Sequence, residues 1–161
     1  MHIKIAYLKD HPDKIPALAN LWHKVLGSIW APDITIERVE QRFREHLNNN
    51  LLPMTFVAFD GNKLVGSVSL RESDGIRPDL MPWLGSLIVD KSYQKAGIGK
   101  MLIEATKQKA ALLNFKKLYL FTFDPALPDY YLRHGFNELG MDEFKGHNVT
   151  VMETDLTMTK Q

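Results

Sequence analysis

The sequence predicts a mixed α/β domain, a central twisted mixed sheet of about six to seven strands flanked by about four helices. Three observations lead there. Apolar residues alternate with polar ones at Ile3, Ile5 and Tyr7, and β-type runs recur over residues 54–59 and 63–70. At Ile15, Leu18, Ala19, Trp22, Val25 and Leu26 the apolar spacing changes to the three-and-four rhythm of a helix. The hydrophobic run 83–89 then passes through a glycine turn directly into another helical pattern, which is how a strand-helix-strand crossover begins. The inferred order is β-α-α-β-β-β-α-β-α-β-β, in a single domain over residues 1–161.

Each element has a local cause. After the opening strand, Asp10 or Pro12 starts a helix that Gly27 is expected to stop. Residues 28–33 read as a loop carrying Trp30. Thr35 supplies a cap for a second helix to about Leu47, with Glu37 at its positive end. Asp60-Gly61-Asn62 is a hairpin turn in which glycine can take positive φ. Residues 71–82, with Gly75, Pro78 and Pro82, form a loop. The helix after the glycine turn is expected to bury Ile98, Met101, Leu102, Ala105 and Leu112. A short strand over 117–122, a brief helix over 126–133 broken by Gly135, and strands around 136–144 and 148–156 complete the chain.

Composition narrows the function. The 161 residues are 45% hydrophobic and 24% charged, with a formal net charge of +1 and no long like-charge block, so no bulk field steers nucleic acid. Cysteine is absent, which removes disulfides, thiolate zinc sites and cysteine nucleophiles. Histidines 2, 11, 23, 46, 134 and 147 show no metal-ligand spacing, and no metal is expected. Charges interrupt the apolar residues at the start and no run is long enough to span a bilayer, so the expectation is a cytoplasmic protein without a membrane partner.

The chemistry-bearing feature is Gln94-Lys95-Ala96-Gly97-Ile98-Gly99-Lys100, between a hydrophobic strand and a helix. The first turn of a helix carries unpaired N–H groups and the positive end of the dipole, and glycine lets phosphate oxygens approach the backbone. The dinucleotide fingerprint wants glycine or alanine where Leu102 stands, and the Walker loop wants glycine at Gln94 and serine or threonine at Met101. Both nucleotide motifs fail. What remains, Gln-x-x-Gly-x-Gly, resembles the pyrophosphate loop of the GNAT superfamily of acetyl-CoA-dependent N-acetyltransferases. Downstream, Tyr130-Tyr131-Leu132-Arg133-His134-Gly135-Phe136 resembles that family's aromatic-Tyr-x-x-x-Gly-aromatic signature, and the element order is similar from end to end. Asp74 before Pro82-Trp83-Leu84, and Thr122-Phe123-Asp124, resemble one branch of small acetyltransferases within it.

The resemblance implies acetyl-CoA as cosubstrate and a primary amine on a small molecule or peptide as acceptor, attacked directly in a ternary complex. It implies that main-chain groups of Leu87, Ile88 and Val89, residues 94–100 and Tyr131 bind the coenzyme, the pantetheine arm lying along a strand that splays from its neighbour. Lys100 is the lysine of the turn best placed for a phosphate. Releasing a proton from a lysine-like amine at pH 7 costs about 4.6 kcal/mol, so a base is needed. Some family members use a strand glutamate, but residues 83–89 hold no carboxylate. Asp74 is the chosen candidate; Glu72, Asp124, His134, His147 or water remain open. An N–H of Leu87 or Ile88 is the candidate oxyanion donor. The Tyr131 phenol is the candidate donor to the departing thiolate, although complete transfer in water runs uphill by about 2 kcal/mol. Trp30, Arg77, Trp83 and Asp124 are expected at the acceptor. The second reading is a non-catalytic acyl-CoA-binding or regulatory domain, which the lost strand glutamate favours and Tyr131 opposes. Exposed edge strands admit a homodimer.

Overall fold

The computed structural model describes residues 2–159. Met1, Lys160 and Gln161, the ends of the expected 1–161 domain, lie outside them. Seven strands form one sheet: β1 (Ile3–Tyr7), β2 (Met54–Asp60), β3 (Lys63–Arg71), β4 (Trp83–Val89), β5 (Lys117–Thr122), β6 (Asn137–Phe144) and β7 (His147–Asp155). Their spatial order is β1-β2-β3-β4-β5-β7-β6. Every pairing is antiparallel except β4 with β5. The helical segments are α1 (Ile15–Trp22), α2 (Ser28–Trp30), α3 (Ile36–Arg44), α4 (Ile98–Leu112) and α5 (Leu127–Leu132).

Strand alternation divides the core between two faces. Val57, Phe59 and Leu64 pack with Leu18, Trp22, Val39 and Phe43 of α1 and α3. Phe56, Ala58, Val65 and Leu70 pack with Ile98, Leu102, Ile103 and Ala110 of α4. The sheet is thus a middle layer between helices. Thr35 caps α3 through Oγ1, 3.2 Å from the Arg38 N–H. Asp60 pairs with Lys63 across a two-residue turn in which Gly61 takes φ +59°.

Three sequence expectations are corrected. Gly27 does not end the first helix: after α1 the chain runs through a π-helical turn, His23–Gly27, into α2, so Ser28–Trp30 is helical rather than loop. Gly27 keeps right-handed helical angles and lies at ordinary contact distance from the Trp22 and His23 rings, so neither a turn nor a positive φ calls for glycine there. The second helix closes at Arg44, short of Leu47. On α4, Met101 and Leu112 are 39% and 76% exposed. The buried row there runs Ile98, Leu102, Thr106, Ala110, and Thr106 can join it because its hydroxyl donates to the Leu102 carbonyl at 2.9 Å.

Candidate active site

Parallel strands β4 and β5 share one register pair, Trp83 with Tyr119, beside the Tyr119 N–H bond to the Pro82 carbonyl at 3.1 Å. Beyond that pair they part, leaving a wedge between their carboxyl ends. On the other side of β4 the register with β3 slips: Ser69 faces Gly85 and Ser67 faces Ile88, so β4 takes three steps against two. The extra residue makes a β-bulge in which Ser86 adopts φ +50°. Ser86 and Leu87 therefore have no register partner on either neighbour.

A polar network surrounds the bulge. Ser86 Oγ accepts from Trp22 Nε1 at 3.2 Å and from Arg71 Nη2 at 2.9 Å. Arg71 Nη1 in turn donates to Asp74 Oδ1 at 2.7 Å. Gly85 leaves the Asp74 carboxylate its place, since a Cβ there would stand 3.1 Å from Oδ2. Burial pushes the Asp74 carboxyl above its ordinary range, against the pull of Arg71. Behind the network lies a cavity of about 70 Å³ whose walls include Phe43 and His46 of the α3 side.

At the end of β4 the chain makes a short turn and enters α4. Asp90 caps that turn through the Ser92 N–H at 2.9 Å, and the Gln94 side-chain amide reaches back to the Val89 carbonyl at 3.4 Å. Lys95 and Gly97 both take positive φ, +66° and +84°, so the backbone alternates in hand and forms an anion-holding concavity. Among the described residues, no hydrogen bond inside the protein uses the N–H groups of Lys95, Ala96, Gly97, Ile98, Gly99 or Lys100; the next amide, Met101, bonds the Gly97 carbonyl at 3.1 Å. The Ile98 side chain anchors this turn in the core at 1% exposure.

Helix α5 lies against the same helix start. The Tyr130 hydroxyl sits where a Cβ of Gly99 would be. Tyr131 is 7% exposed, edge-on to the Tyr130 and Phe136 rings at 5.2 and 5.9 Å, in the cluster that includes Leu84, Ile98 and Leu118. Burial pushes its phenol well above the ordinary range. Lys107 is itself buried and donates Nζ to the His134 carbonyl, just past the end of α5.

The expected acceptor residues separate. Trp30 joins the Phe121, Phe123, Phe144 and His147 rings at centroid distances of 5.2–6.0 Å, an aromatic cluster around the end of β5. Since Trp22 is tied to Ser86 of β4 and Trp30 to the rings of β5, residues 22–30 bridge the wedge. Arg77 instead turns to β6, pairing with Asp142 Oδ2 at 3.1 Å and the Met141 carbonyl at 3.1 Å, so its charge is already answered. Trp83 is fully buried and gives its indole N–H to the Leu80 carbonyl at 2.7 Å; it belongs to the core and not to an open cleft. Asp124 is exposed and caps the turn before α5 through the Ala126 N–H at 2.9 Å. Glu72 is exposed. His134 meets the Tyr130 ring edge-on at 4.6 Å, and burial lowers its pKa.

Sequence reasoning missed Arg71, Ser86, Phe121, Phe123, Phe144 and Lys107. Ser86 and Arg71 belong to no motif of their own; the one available signal was a small polar residue interrupting a buried strand. Among the described residues, no group of three or more His, Asp or Glu side chains is set to hold a metal ion, and no helix is long and apolar enough to cross a membrane.

Residues 16–136, from α1 to the end of the α5 signature, match the model of the Acetyltransferase (GNAT) family. The chain belongs to that family. Within it, the chain is 36% identical over 74 residues to a probable spermine N(1)-acetyltransferase of Bacillus subtilis subsp. natto, over 44% of this chain and 49% of the relative. A spermine/spermidine N(1)-acetyltransferase of Bacillus subtilis is 35% identical over the same extent. The chain spans about half the length of these curated relatives. Among solved structures, a chimera of the Vibrio cholerae spermidine N-acetyltransferase SpeG and hSSAT superposes with a TM-score of 0.77 at 21% identity, over 100% of both chains. An aminoglycoside 6'-N-acetyltransferase complexed with coenzyme A gives 0.74 at 18%, over 97% of each. The GNAT fold accounts for the seven-stranded sheet and for the parting of its parallel pair.

Proposed function

We propose that this GNAT protein is an acetyl-CoA-dependent N-acetyltransferase acting on a primary amine by direct attack in a ternary complex. One observation carries the reading: a ring of unbonded amides at residues 95–100 closes one end of a wedge whose strand β4 has an unpaired bulge at its middle. The amides fit a diphosphate, which needs N–H donors at a positive helix end. The free edge of Leu87, Ile88 and Val89 fits an extended amide-bearing arm added like a strand. When bound, acetyl-CoA supplies an acetyl group already activated as a thioester.

The chain's own residues then have separable tasks. The Leu87 N–H is the donor toward the acetyl oxygen, and Gln94 steadies the loop. The Tyr131 phenol, too weak an acid after burial for complete transfer, serves as hydrogen-bond donor to the sulfur. Of the candidate bases, Asp74 fits best: its carboxyl lies against β4 beside the bulge and is raised toward neutral pH by burial, accepting the acceptor's proton through water. Trp30, with the rings around it, forms the acceptor wall. Polyamines, the substrates named for relatives, are the first acceptors to test. The sheet ends on β1 and β6, the edges through which a homodimer would pair.

The test is free-thiol release from acetyl-CoA with a panel of polyamines, amino sugars and peptide amines. Amine-dependent release supports the transferase. Thermal stabilisation by coenzyme A with no release on any amine would support the binding-domain reading instead.

A further inference from the structure

We propose that Ser86, held by Trp22 and Arg71, is a positioning residue that fixes the β4 bulge and so aims the Leu87 main chain at the acetyl group; this rests on the transferase reading above. A bulge residue at φ +50° is a place where glycine would be free of strain, and serine is there instead. What serine adds is one oxygen, and that oxygen is doubly used. Trp22 Nε1 reaches it from α1 at 3.2 Å, and Arg71 Nη2 from β3 at 2.9 Å. Two side chains from separate elements, a helix and the neighbouring strand, thus converge on a single atom of the residue that precedes Leu87.

The clamp is itself braced. Arg71 is the β3 register partner of Trp83, so its backbone is set by the ladder at the closed end of the wedge. Asp74 Oδ1 holds its other nitrogen at 2.7 Å, with both side chains mostly buried, at 25% and 15% exposure. Gly85 makes room for that carboxylate. Behind β3, Thr55 Oγ1 joins Ser69 Oγ at 2.8 Å, and Ser69 is the residue facing Gly85 across the slipped register. The β3 side of the bulge is therefore hydrogen-bonded just before the slip begins. An unpaired bulge without such a clamp has several backbone solutions; Ser86 selects one. Trp22 closes the same segment that reaches across the wedge to Trp30, so the bulge and the acceptor wall share an anchor.

The experiment compares wild type with Ser86→Ala, Ser86→Gly and Trp22→Phe, measuring kcat for amine-dependent thiol release, coenzyme A affinity by calorimetry, and folding by near-ultraviolet circular dichroism. Ser86→Ala and Ser86→Gly are expected to bind coenzyme A within about twofold of wild type while kcat falls roughly tenfold to a hundredfold, because misplacement by a fraction of an ångström is costly to transfer and not to phosphate binding. Trp22→Phe, which deletes one donor and keeps a ring, gives a smaller fall in the same parameter. Should Ser86→Ala not fold, Ser86→Gly and Trp22→Phe decide. A Ser86→Gly enzyme with wild-type kcat overturns the clamp and leaves the transferase intact, as does a loss confined to coenzyme A affinity. Wild type that binds coenzyme A and releases no thiol with any amine overturns both.

Discussion

The Tyr130 hydroxyl rests directly on Gly99, filling the space a side chain would need. A residue of the short helix α5 is therefore keyed into the first turn of α4, the turn proposed to bind coenzyme A. Gly99→Ala forces Tyr130 aside. The expected cost is about 1–3 kcal/mol of stability, as for other overpacked sites, with weaker coenzyme A binding. Tyr130→Phe in the same chain removes the obstructing oxygen and recovers most of both. Urea unfolding and calorimetry on the four chains check this; equal losses in the single and double variants would refute it.

Tyr131→Phe keeps the packing against Phe136 and loses only the hydroxyl. With the phenol acting as donor to sulfur, kcat falls roughly a hundredfold and coenzyme A affinity stays within about twofold. Because burial places the phenol's ionisation far above neutral pH, the wild-type rate shows no loss attributable to this group up to pH 9. A steady-state pH profile of both chains measures it.

His46 is buried, with Nδ1 2.9 Å from Thr55 Oγ1, and its pKa falls to about 3, chiefly through desolvation and then through Arg71. The folded protein keeps this ring neutral, whereas the unfolded chain binds a proton below about pH 6.5. Its contribution is complete above that pH and is lost progressively as pH falls toward 3. At pH 5 the loss is about 2 kcal/mol relative to pH 7.5. His46→Gln removes that part of the pH dependence. Denaturant unfolding of both chains at the two pH values reads the difference, and parallel pH slopes would contradict it.

Lys107 bridges α4 to the end of α5, with its ammonium 5.2 Å from the Phe136 ring centre and bonded to the His134 carbonyl. Lys107→Met retains most of the volume and orphans that carbonyl. The expected cost is about 1–3 kcal/mol, with faster amide exchange confined to α5 and Gly135. Hydrogen exchange by mass spectrometry locates the change; uniform acceleration over the sheet would speak against the bridge.

What could be read from the residues was whatever a single local rule decides. Thr35 caps because its hydroxyl meets an N–H three residues on, and Gly61 and Gly97 sit at positive φ where the turns require it. Met101 fits a buried position by spacing alone because helical spacing allows more than one apolar stripe, and only the sheet beneath selects the one through Thr106. Gly27 looks like a stop in the sequence because a glycine that simply tolerates helical angles cannot be told there from one that a turn requires. Of the site, the amides of 95–100 were legible from the glycine turn. The Ser86 bulge and the Arg71 clamp were not, since they arise from the register between strands separated by the loop over residues 72–82. Trp83 shows the same limit: its place in the core depends on Tyr119 and Leu80, neither of which its own neighbours specify.

Everything proposed for the site depends on the amides of residues 95–100 holding the diphosphate of coenzyme A at the mouth of the wedge between β4 and β5. Titration of the ¹⁵N-labelled protein with coenzyme A tests it most directly. Saturable shifts are expected at the amides of Lys95 to Lys100, with a second group at Leu87 to Val89. Saturable binding that leaves the 95–100 amides unmoved and perturbs another surface would contradict it.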